Sequence, residues 1–108
     1  MTATHVLYEA FRRAEFLHAT GQFREAALAV EPVVSSAPES TAALELQARA
    51  LFASAQLGAA ERALRTLVDR RPDDGWARFA LARTLERGGR RDEAAEHRRI
   101  AAALGVQG

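Results

Sequence analysis

Histidine and carboxylate pairs at helical spacing are the first candidates for chemistry in this sequence. His5 with Glu9, and Glu93 with His97, stand four residues apart, and on a helix such a pair can bind a divalent metal ion. Two ligands seldom make a site, and the chain has no cysteine to add a third. The sequence also lacks HExxH, GxSxG and a glycine-rich phosphate loop. We therefore predict no metal site, no cofactor, no small-molecule substrate and no enzymatic activity.

Arginines gathered in the last third of the chain are the candidates for contacts with nucleic acid. They are Arg83, Arg87, Arg90, Arg91, Arg98 and Arg99. Phosphate binding favours a continuous basic surface, but acidic residues interrupt this one at Glu86, Asp92, Glu93 and Glu96. We interpret the region as a solvated face with salt bridges, and nucleic-acid binding is the least favoured of our functional alternatives.

The composition predicts which elements position these residues. The 108 residues include 25 alanines, three prolines and a single isoleucine, which favours helix over sheet and indicates an all-α protein. Arginine is abundant while lysine and asparagine are absent, as is typical of a GC-rich bacterial genome. No apolar run approaches the ~18 residues of a membrane span, and the first residues lack the pattern of a signal peptide. We therefore expect a cytoplasmic protein without membrane contact.

Four sequence columns recur at a spacing of 34 residues. They are Ala14, Ala48 and Ala82; Leu17, Leu51 and Leu85; Ala26, Ala60 and Ala94; and Pro38 and Pro72. A period of roughly 20 to 50 residues is typical of stacked units, none of which can bury its apolar face alone. Three copies, at about 7–40, 41–74 and 75–108, account for nearly all of a chain that we treat as one domain over residues 1–108.

Apolar residues within each copy recur at steps of three and four, so each copy is predicted to hold two helices. The expected helices span about 5–19, 22–36, 40–53, 56–70, 73–87 and 91–104. Gly21 and the pair at 88–89 suit helix C-termini, and Ser40 and either Asp73 or Asp74 suit N-caps. The middle copy has Ala55 where the other copies have a glycine.

The repeated columns resemble the tetratricopeptide repeat family over roughly residues 7–104. Residues 72–90, PDDGWARFALARTLERGGR, also look like short tetratricopeptide proteins of actinobacteria. The resemblance implies three helical hairpins stacked as a right-handed α-solenoid. The chain departs from the family in the first-helix tryptophan column, which reads Ala10, Leu44 and Arg78, and at Arg98, where Val30 and Leu64 stand earlier.

The resemblance also implies that the first helices of the repeats line a groove that binds a peptide or helix of a protein partner. The predicted groove residues are Tyr8, Phe11, Glu15, Glu45, Arg49, Phe52, Trp76, Phe79 and Arg83. Some of the aromatics have a structural alternative, since they can pack against a neighbouring repeat. The charged residues have one too, since they can form solvated ion pairs. The positions of a chaperone-tail carboxylate clamp correspond to Phe11, Glu15, Leu46, Trp76 and Ala80, so we do not expect an acidic-tail ligand.

The last hairpin provides the second functional hypothesis. Ile100, Leu104 and Val106 have no further helix in the chain to cover them, and an uncovered apolar edge favours contact with another molecule. Homo-oligomerisation through this edge is therefore the alternative to partner binding in the groove.

Overall fold

Six helices follow one another in the order expected of three hairpins. The computed structural model describes residues 2–106, and it places no strand among them. The helices are α1 (Ala3–Ala19), α2 (Phe23–Ser36), α3 (Thr41–Ala53), α4 (Leu57–Arg70), α5 (Gly75–Arg87) and α6 (Arg91–Ala103). None of these six combines the length and apolar character of a membrane-spanning helix. The predicted all-α fold is confirmed, and the predicted helix ends agree to within two residues.

Side-chain caps begin the first helix of each copy. The Thr2 hydroxyl accepts a hydrogen bond from the backbone N–H of His5 at 3.1 Å. Ser40 caps α3 in the same way at 3.2 Å, and an Asp74 carboxylate oxygen caps α5 at 3.0 Å. Each cap pairs one of the backbone N–H groups that a helix start leaves unsatisfied. Of the two candidate aspartates, Asp74 is therefore the cap.

Residues in the left-handed region end the first helices of the three copies. Gly21 and Gly89 have φ angles of 81° and 82°. After α1, the N–H of Gln22 reaches the carbonyl of Leu17 at 2.8 Å, the long hydrogen bond of a Schellman motif. Ala55, at the equivalent position of the middle copy, also has a positive φ, 57°. An alanine therefore performs the role that glycine has in the other two copies.

The repeated small residues are buried. The alanines at 14, 48, 26, 60 and 94 are fully inaccessible to solvent, and Ala82 is nearly so. A methyl side chain at these positions lets helices approach closely, and the leucine column beside them is buried as well. The alanine and leucine columns of the repeat are thus packing positions, as the sequence predicted, whereas Pro38 and Pro72 are exposed.

The chain divides between Ser54 and Ala55 into two compact units. In the N-terminal unit α2 packs against both α1 and α3, around a core of Ala14, Val30, Val33 and Ala43. Helix α1 starts four residues earlier than its repeat partner α3, which adds about one turn at its beginning.

The C-terminal unit contains α4, α5 and α6, with α5 packed against both of the others. An ion pair connects α4 to the start of α6, where Arg65 lies 2.8 Å from Glu93. Within α4, Arg65 also lies 2.9 Å from Glu61. Glu61 also accepts a hydrogen bond from Arg90 at 3.0 Å. The Arg90 guanidinium is the main reason why the pKa of Glu61 lies below its ordinary value.

Candidate functional site

An apolar pocket opens in the N-terminal unit where α1 faces the start of α3. Its volume is about 320 Å³. Its walls are Thr4, Leu7, Tyr8 and Phe11 of α1, Val33 of α2, Ala37 and Ser40 of the following loop, and Ala42 of α3. The pocket includes two of the predicted groove aromatics.

The two aromatics of the pocket differ in what holds them. Phe11 is half-buried and packs against the core of the unit while it also lines the pocket. Tyr8 is 62% exposed, so its ring stands at the rim with most of its surface open to a ligand. Phe11 therefore contributes to the core and can also contact a ligand. Tyr8 has little packing within the protein, so its exposure favours a role in binding.

The charged groove residues of the N-terminal unit are paired within their own helices. Arg12 donates to Glu15 at 3.0 Å, and Arg49 donates to Glu45 at 3.1 Å. Glu45 and Arg49, four residues apart on α3, thus form an ion pair of the kind that the sequence left open as the structural alternative. Phe52, one turn further along α3, is half-buried. The groove surface beyond the pocket is therefore close to neutral.

In the C-terminal unit the predicted groove residues lie along α5. Trp76 and Phe79 are both half-buried. The Arg83 guanidinium carbon lies 6.0 Å from the centre of the Phe79 ring, at the outer limit of a cation–π contact. Arg83 thus covers part of the aromatic surface beside it.

Of the two histidine pairs in the sequence, the first forms and the second does not. His5 Nε2 lies 3.2 Å from Glu9, in an exposed contact within α1. Glu93 is paired with Arg65, while His97 contacts Arg78. Among residues 2–106 no group of three or more histidine, cysteine or carboxylate side chains is placed to hold a metal ion.

The three residues of the predicted self-association edge have different surroundings. Leu104 is 41% exposed and Ile100 is half-buried. Val106 turns back onto the start of α5, where its Cγ2 lies 2.6 Å from the position that a Cβ on Gly75 would occupy. Leu104 is thus the most exposed of the three residues. Val106 can pack against the start of α5 because Gly75 has no side chain.

Besides Ala42 at the start of α3, five residues that line the pocket were not predicted as site residues. Leu7 and Val33 follow the core periodicity of their helices, so the sequence marks them only as packing positions. Thr4 comes from the extra turn of α1, and Ala37 and Ser40 come from the loop. No spacing in the sequence connects these residues, because only the packing of α1, α2 and α3 brings them together.

Repeated helix pairs with buried alanine columns make up a helical-repeat fold, and its N-terminal unit carries an apolar pocket beside an exposed aromatic ring. The family model described as tetratricopeptide repeat matches residues 51–97. The resemblance recognised in the sequence is confirmed.

Solved structures of MamA share the fold. MamA from Desulfovibrio magneticus RS-1, beginning at its residue 41, superimposes with a TM-score of 0.80 at 24% identity, over 95% of this chain and 58% of that one. A MamA double mutant gives 0.82 and 24%, over 95% and 58% of the two chains. A further MamA mutant gives 0.85 and 21%, over 96% and 61%. The present chain thus spans about three fifths of the MamA structures. No curated protein sequence matches it.

Proposed function

We propose that the protein is a non-enzymatic interaction module that binds a peptide or helix of a protein partner through the first helices of its repeats. The observation that carries this proposal is the apolar pocket of about 320 Å³ with Tyr8 exposed at its rim. Its walls expose apolar side chains of α1 and α3 without a covering segment among the described residues. Burial of partner atoms there removes apolar surface from water on both sides.

The expected ligand inserts an apolar side chain between Tyr8 and Ala42. A rigid aromatic ring offers a large contact area at little cost in conformational entropy, and such rings often dominate the energy of an interface. The charged residues next to the pocket are already paired, so they offer no excess charge for an acidic tail. An apolar segment is therefore the ligand class that we propose.

The test uses a ligand selected from a random peptide library displayed on phage and measured by fluorescence anisotropy. Ala42→Phe fills the pocket from its exposed side without removing any packing, and Tyr8→Ala removes the rim. We expect each change to weaken binding by about tenfold or more, in the range of interface hot spots. Phe16→Ala is the matched control, because Phe16 is an aromatic of α1 that is 63% exposed and does not line the pocket. Selected peptides that tolerate both pocket variants would contradict the proposal.

Self-association through the last hairpin is the second candidate function, favoured by the exposure of Leu104. We expect Leu104→Glu to shift any concentration-dependent dimer to monomer in light scattering, because a charge cannot be buried there without a partner. A wild-type chain that stays monomeric across the concentration range would remove this candidate.

A further inference from the structure

The third copy places a polar pair where the first copy has an apolar contact. Ala10 and Ala29 occupy equivalent positions of α1 and α2, and both pack against the core of the N-terminal unit. The middle copy has Leu44 and Ala63 at these positions. In the third copy they are Arg78 and His97, on α5 and α6.

The side chain of Arg78 joins three parts of the C-terminal unit. Its Nε donates to the carbonyl oxygen of Pro72, at 3.0 Å, in the loop before α5. Its Nη1 lies 3.1 Å from Nδ1 of His97 on α6. Because a guanidinium only donates, Nδ1 has to be the accepting, unprotonated nitrogen of a neutral imidazole. The contact therefore depends on the charge state of His97.

We propose that Arg78 and His97 form an acid-sensitive clasp that holds α6 against α5 and releases it when the imidazole is protonated. Protonation converts Nδ1 from an acceptor into a donor, so the hydrogen bond from Arg78 is lost. It also places a second positive charge about 3 Å from the guanidinium group. Both changes act on the same contact.

The surroundings of His97 support this direction. His97 is half-buried and lines a cavity of about 240 Å³ with Arg65, Val68, Asp69 and Leu81. Burial lowers the pKa of His97 below its ordinary value, and the charge of Arg78 lowers it further. The neutral imidazole is therefore the form that the folded protein favours.

Charges from all three helices of the unit face this imidazole. Arg65 on α4 and Arg78 on α5 disfavour its protonation, while Glu93 and Glu96 on α6 favour it. Asp69 of α4 lines the same cavity. Glu93 is paired with Arg65, which weakens the effect of Glu93 on the pKa of His97. Burial and the two arginines together outweigh the carboxylates, so the pKa of His97 is lowered.

The sign of the pH dependence follows from this balance. The unfolded chain protonates His97 near pH 6.5, whereas the folded protein resists protonation to lower pH. The stabilising contact is thus complete above about pH 6.5 and is lost as the pH falls toward the folded pKa. Opening of α6 is expected to expose Leu81, which is buried at neutral pH.

Hydrogen exchange of the α6 amides, corrected for intrinsic rates, tests the clasp in the full chain. We expect their protection to fall several-fold between pH 7 and pH 5, with a limit of about tenfold per pH unit for one proton. His97→Gln keeps a neutral acceptor for Arg78, so its α6 protection should stay constant. His5→Gln, in the N-terminal unit, should behave as the wild type does.

Two outcomes would overturn the proposal. One is α6 protection in the wild type that does not change with pH, and the other is an equal loss of protection in His97→Gln. The double variant Arg78→Leu with His97→Ala, which installs the residues of the middle copy, separates the clasp from general acid sensitivity. It should fold at both pH values and show α6 protection that is independent of pH. The result does not depend on whether the groove binds a partner.

Discussion

At the scale of single residues, Ala55 holds a backbone conformation that suits glycine. Its φ of 57° lies in the left-handed region, where a Cβ meets the following carbonyl oxygen. The equivalent positions in the other copies are Gly21 and Gly89, with φ angles above 80°. The middle copy therefore keeps the turn geometry of its neighbours at a cost in backbone energy.

We expect Ala55→Gly to stabilise the protein by about 1 kcal/mol. Relief of the left-handed strain gives roughly 1 to 2 kcal/mol, and the greater freedom of glycine in the unfolded chain offsets part of it. Urea denaturation followed by circular dichroism measures the difference. Ala95→Gly is the control, because Ala95 is exposed inside α6 and should lose about 1 kcal/mol. Equal destabilisation by both changes would show that position 55 gains nothing from glycine.

Residue identity predicted the packing columns well but could not define the partners of individual polar side chains. A repeated alanine in a helical pattern has one efficient use, the close approach of helices, and these alanines are buried as expected. Arg78 stands at a predicted departure from the family, yet its contacts with Pro72 and His97 join residues 6 and 19 positions away. Side-chain reach across helices decided those contacts.

At the scale of elements, the start of α5 depends on which of two adjacent aspartates caps it. The sequence allowed either, since both precede the helical pattern. Backbone geometry selects Asp74, whose carboxylate accepts from the N–H of Ala77 at 3.0 Å. A carboxylate there also favours the positive end of the helix dipole.

We predict that Asp74→Ala lowers the free energy of unfolding by about 1 kcal/mol, through loss of this cap. The neighbour Asp73 offers a matched control, since it carries the same charge but accepts no capping hydrogen bond among the described residues. Asp73→Ala should change stability by less than about 0.5 kcal/mol, as is usual for a surface substitution. Thermal denaturation of the two variants side by side gives the comparison. A larger loss of unfolding free energy in Asp73→Ala than in Asp74→Ala would show that Asp73, and not Asp74, caps α5.

At the scale of the whole molecule, each compact unit carries predicted groove aromatics of its own. Tyr8 and Phe11 lie in the N-terminal unit, and Trp76 and Phe79 lie in the C-terminal unit.

We expect the double variant Trp76→Ala with Phe79→Ala to lose most of the binding to a selected peptide, by about 30-fold, while keeping its helical content. Anisotropy gives the affinity and far-ultraviolet circular dichroism gives the helicity. Trp76 is the only tryptophan, so its fluorescence in the wild type reports directly on a ligand at α5. Normal affinity in the double variant, together with unchanged Trp76 emission when the wild type binds the peptide, would limit the site to the N-terminal unit.

The sequence by itself determined the helices, their order and their packing positions, because helical periodicity, caps and the 34-residue repeat are local or translational features. It also placed Tyr8 and Phe11 on one stripe of α1, since the angle between successive residues of a helix is constant. Only the tertiary structure decided that Thr4, Val33 and Ser40 share a pocket with Tyr8, and that Val106 rests on Gly75. These contacts join segments with no common period, so they depend on how the helices of each unit pack.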